Sequence, residues 1–244
     1  GRKRHRPINS GKYFKKFIMA LSEYKGEEII AKIIIKGGKK TEERVYMPRT
    51  VNNDPAGKDA YIIGNGPSRI GFDLYKLPQD SYGCNALHRD YEPDFLIVVD
   101  RRMYTEIKDS EYLEKNIVYT NHFNMTRLGG SSHLIPENPH MGAGTTAMHI
   151  AIHDGHTNLI CLGFDCAEDG PNLNVYTGTN AYDSAETIVH QTVWGRQITK
   201  FIKDNPNTQW TFVEGNIPSD ILNLDNVSTM TYEQLNNKCT AISN

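Results

Sequence analysis

The residues best suited to chemistry fall at the ends of short apolar runs. Tyr61-Ile62-Ile63 stops at Gly64-Asn65-Gly66-Pro67-Ser68, and Tyr82-Gly83-Cys84 stops at Asn85. Phe95-Leu96-Ile97-Val98-Val99 is closed by Asp100, and Asn158–Leu162 by Gly163-Phe164-Asp165. Met141-Gly142-Ala143-Gly144-Thr145-Thr146 opens a run with helical spacing. Glycines permit a tight turn and let a ligand approach the backbone, while a helix start offers unpaired N–H groups to a phosphate. Small amides and hydroxyls suit ribose, sugar and phosphate oxygens. A strand-end aspartate can hold a ribose hydroxyl pair or a magnesium ion. Each motif alone is also what an ordinary turn or cap looks like; their recurrence at successive strand ends is what points to one nucleotide site.

Other chemistries lack their residues. There is no GxSxG elbow, no GxxxxGK[ST] loop and no Cys/His nucleophile pairing. His149 and His153 are four apart on a helical run, but His149-Ile150-Ala151-Ile152-His153 lacks the glutamate of a zinc hydrolase. Cys84, Cys161, Cys166 and Cys239 have no CxxC spacing and read as reduced core thiols of a cytoplasmic protein.

The elements that must position the motifs follow from periodicity. Tyr61–Ile63, Tyr82–Asn85, Phe95–Val99, Asn116–Thr120, His133–Ile135, Asn158–Leu162 and Gln209–Val213 read as strands. Helices are expected over Thr145–Asp154 with Gly155 as C-cap, over Ser184–Lys203, and over Thr231–Cys239 with Thr231 as cap. An amphipathic helix is expected from Ile70 to Leu77, directly after Gly64-Asn65-Gly66-Pro67-Ser68, with a helical turn at Ser219–Leu222. Continuous apolar strands separated by helices mean a mostly parallel, Rossmann-like α/β sheet covered on both faces, with ligands at the strands' carboxyl ends.

Charge divides the 244 residues. The net charge of −2 conceals 15 Lys and Arg against 6 Asp and Glu over residues 1–58, and 12 against 23 over the rest. Residues 1–58 read as a small basic α+β appendage: an arm, a short helix over Lys12–Leu21, a hairpin over Glu28–Met47 and a linker. Its charge suits an acidic partner, an anionic membrane surface or nucleic acid, or is a solvated face packed on the main domain. Residues 59–244 form the nucleotide-binding domain. No apolar run reaches the roughly 18–20 residues of a membrane span, and no apolar signal core follows the basic start.

The motifs Ile63-Gly64-Asn65-Gly66-Pro67-Ser68, Tyr82-Gly83-Cys84-Asn85, Pro93–Asp100 and Gly144-Thr145-Thr146-Ala147 through Asp165 resemble, in order, those of the bacterial sialyltransferases of glycosyltransferase family 42. They are similar also to the related Maf flagellin glycosyltransferases and archaeal 6-hydroxymethyl-dihydropterin pyrophosphokinases. The resemblance covers roughly residues 59–240 through short motifs.

It implies that Asn65, Gly66 and Ser68, with Gly64, contact the nucleotide phosphates or ribose. Thr145, Thr146, Gly163 and Asp165 would line the nucleoside pocket, and Asn85 and Asp100 would face the transferred group. Where the family carries two tyrosines supporting the leaving phosphate, this chain has Tyr176 and Tyr182 some residues later. The family's general base would correspond to His190, with Asp100 as the other candidate. The implied activity is a nucleotide-dependent transferase, a glycosyltransferase with a CMP-sugar donor and a small-molecule or glycan acceptor. The alternatives are a magnesium- and ATP-dependent pyrophosphokinase of a pterin-like alcohol, with Asp100 and Asp165 holding the metal, and a nucleotide- or glycan-binding module without turnover.

Overall fold

All eight strands after residue 58 run parallel, in the spatial order β10-β9-β8-β3-β4-β5-β6-β7. The structure is a computed structural model. It describes residues 27–36, 39–48, 59–78, 80–130, 132–166, 174–182 and 189–243, and only the backbone of 27–48, 189–192 and 243.

The hairpin pairs β1 (Glu27–Lys36) with β2 (Lys39–Pro48), antiparallel, Lys36 opposite Lys39. The main sheet then follows in chain order as β3 (Asp59–Ile63), β4 (Ser81–Cys84) and β5 (Phe95–Val98). Next come α1 (Arg101–Asp109), α2 (Tyr112–Lys115), β6 (Ile117–Thr120), α3 (His122–Leu128) and β7 (His133–Leu134). The second half holds α4 (Ala143–His153), β8 (Asn158–Leu162), α5 (Val189–Asp204), β9 (Gln209–Val213), α6 (Ser219–Leu222), β10 (Val227–Met230) and α7 (Tyr232–Ser243). This is the Rossmann-like α/β architecture. The chain builds outward from β3 to β7, returns through α4, and lays β8 against the other side of β3.

Each strand divides its side chains between two cores. Ile62, Leu159 and Cys161 face the layer holding Ala147, Ile150, Ile198 and Phe201 of α4 and α5. Tyr61, Ile63, Ile160 and Leu162 face Met103, Ile107, Leu235 and Cys239 of α1 and α7. Burial on both faces is why these strands read as unbroken apolar runs rather than alternating ones.

The structure corrects two expectations. No α-helix follows Gly64-Asn65-Gly66-Pro67-Ser68; the connection is two 3₁₀ turns, Pro67–Arg69 and Leu74–Lys76. Ile70 breaks out in an extended conformation and Gly71 takes φ +93°, which leaves Ile70 70 % exposed. The strand β10 was not expected. It is a short edge strand whose Ser228 and Thr229 are exposed, so it carries little apolar signal.

The helices α1, α2 and α3 were not located by the sequence either, and the remaining differences are of boundaries. The helix α4 starts two residues early and ends at His153, with Asp154 as C-cap and Gly155 following at φ +99°. The cap of α7 is reciprocal: Gln234 N donates to Thr231 Oγ1 at 3.1 Å and Thr231 N to Gln234 Oε1 at 2.8 Å. The expected helix at 12–21, the linker at 50–58 and residues 184–188 of the expected long helix lie outside the described residues.

At the amino-terminal rim of the sheet, polar groups are sealed in. Tyr82 donates to Asp154 Oδ2 at 2.6 Å, and His156 Nε2 stands 3.9 Å from Asp80 Oδ2, with all four residues at most 1 % exposed.

Candidate functional site

The order of strands reverses between β3 and β8, and in open parallel sheets the crevice beyond such a switch point is where ligands bind. Here the two strand ends continue past their strands as a pair. Gly64 N donates to Leu162 O and Gly66 N to Gly163 O, both at 2.8 Å. The approach tolerates no side chain: a Cβ on Gly163, itself at φ +68°, would stand 2.7 Å from Gly64 O, and one on Gly66 would overlap the Asp165 carboxylate.

Above this crossing lies a cleft of about 250 Å³. That is close to the lower end of the roughly 300–1,000 Å³ usual for ligand sites. Gly64, Asn65, Gly66, Asn85, Asp100, Thr145, Gly163, Asp165 and Tyr182, all singled out by the sequence, line it.

The opening turn of α4 forms one wall. Its N-cap, Gly142, has no side chain to offer, and Gly142 N itself is taken by Gln197 Oε1 at 3.0 Å. Thr146 N reaches Gly142 O, which leaves the N–H groups of Ala143, Gly144 and Thr145 without a backbone acceptor among the described residues. Ala143, Gly144 and Thr145 all line the cleft.

Side-chain acceptors face the same space. Asn65 is 8 % exposed and donates through Nδ2 to Cys84 O at 2.9 Å, while its Oδ1 has no hydrogen-bond partner among the described residues. The Oδ1 of Asn85, a residue held at φ +49°, is in the same condition. Both residues line the cleft, and buried polar atoms are ordinarily paired.

Asp100 does not end a strand. It is the N-cap of α1, with Oδ1 accepting from Met103 N at 2.9 Å, and it is exposed at the cleft. Asp165 is a staple. Its Oδ2 accepts from Ser68 N and its Oδ1 from Asn216 N, both at 3.0 Å, so it ties the ends of β3, β8 and β9 together. Ser68 is therefore turned to Asp165 rather than lining the cleft. Thr146 is fully buried, with its hydroxyl on Met141 O at 3.2 Å. His190 stands in the first turn of α5, and its side chain lies outside the described ones.

The two tyrosines separate. Tyr182 lines the cleft; burial raises its phenol, outweighing the Ala86 N–H and Asn85 amide that face its oxygen, so it stays a neutral O–H donor. Tyr176 is turned away, donating to Asp90 Oδ2 at 2.6 Å and accepting from Arg69 Nη2 at 2.9 Å. Both belong to the segment 174–182, which is joined to the motif by Val175 N donating to Asn65 O at 2.9 Å.

The described lining includes no Lys or Arg. Burial pushes the lining thiols of Cys84 and Cys166 up to about 12, so they are neutral wall rather than nucleophiles. Among the described residues no cluster of three His, Cys, Asp or Glu side chains is arranged to hold a metal ion. No described helix is long and apolar enough to cross a membrane.

Sequence reasoning missed Trp194 and Ile198, which close the cleft from α5, and Arg69, 7 % exposed directly behind the motif. Trp194 and Ile198 share a helical face with core positions, so nothing in their spacing separates a cleft wall from ordinary packing. The arginine follows Gly66-Pro67-Ser68 in an ordinary polar turn, and nothing in that spacing marks it as buried.

The fold is a parallel α/β architecture with a cleft at its switch point. Comparison with protein-family models, characterised proteins and solved structures found no match.

Proposed function

We propose that the chain is a nucleotide-dependent transferase whose donor is a nucleoside monophosphate ester of a sugar, of the CMP-sugar type. The observation that carries this reading is the pairing of donors and acceptors around one cleft. Ala143, Gly144 and Thr145, whose N–H groups have no backbone acceptor among the described residues, line it on one side, and Asn65 and Asn85 on another. The N–H groups suit one phosphate and the amide oxygens suit ribose or base hydroxyl and amino groups.

Charge favours a single phosphate over a triphosphate. With no cation in the described lining, and Asp165 committed to two backbone N–H groups, the neutralisation that ATP with magnesium needs is poorly supplied. Trp194 offers an aromatic wall for a base. In the proposed reaction the acceptor hydroxyl oxygen attacks the anomeric carbon as the bond to the phosphate oxygen breaks. Its proton passes to Asp100 or His190, while the α4 N–H groups and the Tyr182 hydroxyl stabilise the departing nucleotide.

Thermal shifts with CMP, CDP, UDP, GDP and ATP, each with and without magnesium, test this. Stabilisation by CMP without metal is the expected result. An ATP response that requires magnesium would favour the pyrophosphokinase reading, in which Asp100 and Asp165 bind the ion. Binding of CMP with no transfer from any CMP-sugar would leave a nucleotide-binding module.

A further inference from the structure

The segment 174–182 brings Tyr182 to the cleft; Tyr176, Ala181 and Tyr182 pack into the core layer of α1 and α7, while Thr177 through Asn180 are exposed. Two arginines hold it as well. The guanidinium carbons of Arg69 and Arg89 stand 5.7 and 5.4 Å from the centre of the Tyr176 ring. Arg69 also donates to the Tyr176 hydroxyl, which in turn donates to Asp90. Arg89 donates to Thr179 Oγ1 at 2.7 Å and to Asn180 O at 3.1 Å, while its Nε and Nη2 grip Glu106 at 2.8 and 2.7 Å. Glu106 is anchored on α1, the helix that Asp100 caps.

We propose that Arg69, Arg89 and Tyr176 form a clamp that fixes the segment 174–182 and thereby positions Tyr182, and the Asn65 turn bonded to it, for the ligand. They act as positioning residues; none of the three lines the cleft. The cause lies in the geometry. Val175 N is bonded to Asn65 O, one residue before the clamped ring, and Tyr182 follows Asn180 by two residues. Release of the ring or of the Arg89 fork lets both cleft groups move together. A bidentate guanidinium–carboxylate pair with a shared aromatic ring is geometrically specific, which lysine reproduces in charge but not in shape.

The proposal rests on the cleft being a nucleotide site, and the experiment separates the two. Amide hydrogen exchange over 174–182 is compared in the wild type, Arg89→Ala, Arg89→Lys and Tyr176→Phe, alongside CMP affinity by calorimetry. Expected are exchange about tenfold faster or more at Val175 and Tyr182 in Arg89→Ala, about tenfold weaker CMP binding, and only partial recovery in Arg89→Lys. Tyr176→Phe keeps the ring and removes the hydroxyl's two bonds, so it serves if Arg89→Ala fails to fold; about threefold faster exchange is expected there.

A double-mutant cycle then asks whether the clamp acts through Tyr182. Tyr182→Phe weakens CMP binding in the wild type and adds nothing in Arg89→Ala. Unchanged exchange in both variants, or full additivity in the cycle, overturns the proposal. If the wild type binds no CMP, the nucleotide reading fails and the exchange comparison stands by itself: protection kept in Arg89→Ala overturns the clamp, and protection lost upholds it.

Discussion

The two rims of the parallel sheet both bury polar side chains, with opposite consequences. At the amino-terminal rim Tyr82 is spent on Asp154, and His156 lies against Asp80, in a cluster closed to solvent. At the carboxyl rim Asn65, Asn85 and the first turn of α4 line a cleft. What separates the rims is access: the four residues of the first are at most 1 % exposed, while those of the second line a cleft. The same α4 serves both rims, its first turn at the cleft and its C-cap, Asp154, in the sealed cluster.

That contrast is easiest to break at the sealed rim. Asp154→Ala leaves the Tyr82 hydroxyl buried and unpaired, and is expected to cost about 3 kcal/mol. The melting temperature should fall by about 6–12 °C, read by thermal denaturation. CMP binding to the remaining folded protein should be unchanged, because none of the atoms involved lines the cleft.

Gly66→Ala attacks the other rim. Its methyl would displace the Asp165 carboxylate and with it the bonds to Ser68 and Asn216, so CMP affinity is expected to drop about a hundredfold. Stability should fall by a smaller amount, about 2 kcal/mol. Calorimetry and denaturation on the same sample separate the two effects. Thr145→Val is milder. It removes one cleft hydroxyl at nearly constant volume, and about fivefold weaker CMP binding with an unshifted melting curve is expected.

How much of this was legible in the sequence differs between the rims. The strand ends Asn65, Asn85 and Gly163 and the helix start at Gly142–Thr145 were readable because turn glycines and small polar residues interrupt apolar runs at fixed places. That they converge follows from parallel topology alone, since all strands present their carboxyl ends on one side. The fate of Asp165 was not readable. A strand-end aspartate looks the same whether it faces a ligand or two backbone N–H groups, and which one holds depends on Ser68 and Asn216, 97 and 51 residues away.

Tyr176 and Tyr182 look alike in sequence for the same reason, and only their partners, Asp90 and Arg69 for one and the cleft for the other, divide them. The helix expected after Gly64-Asn65-Gly66-Pro67-Ser68 failed because hydrophobic spacing over eight residues cannot outweigh an extended Ile70 and a left-handed Gly71. The sealed rim was invisible: Asp80 and Tyr82 come from one segment and Asp154 and His156 from another, 72 residues on, and neither pair marks the other as its neighbour.

A smaller effect sharpens the comparison through pH. Arg89 holds Glu106 below the usual carboxylate range, so its grip on 174–182 contributes stability above the pH at which an unfolded glutamate titrates. That contribution is lost as the pH falls through the lowered value. His88, whose imidazole burial drives below its usual value despite Glu106 at 3.5 Å, works in the same direction, because the unfolded chain takes up that proton first. Exchange over 174–182, corrected for its intrinsic pH dependence, should accelerate on acidification and stay level between about pH 7 and 9.

The central claim is that CMP sits between the Asn65 turn and the first turn of α4. Titration of the isotope-labelled chain with CMP, followed through backbone amide resonances, tests it most directly. The account predicts saturable shifts centred on Asn65, Ala143, Gly144 and Thr145, without added metal, and resonances of Asp80 and His156 at the opposite rim left in place. Shifts centred elsewhere, or none at millimolar CMP, would contradict it.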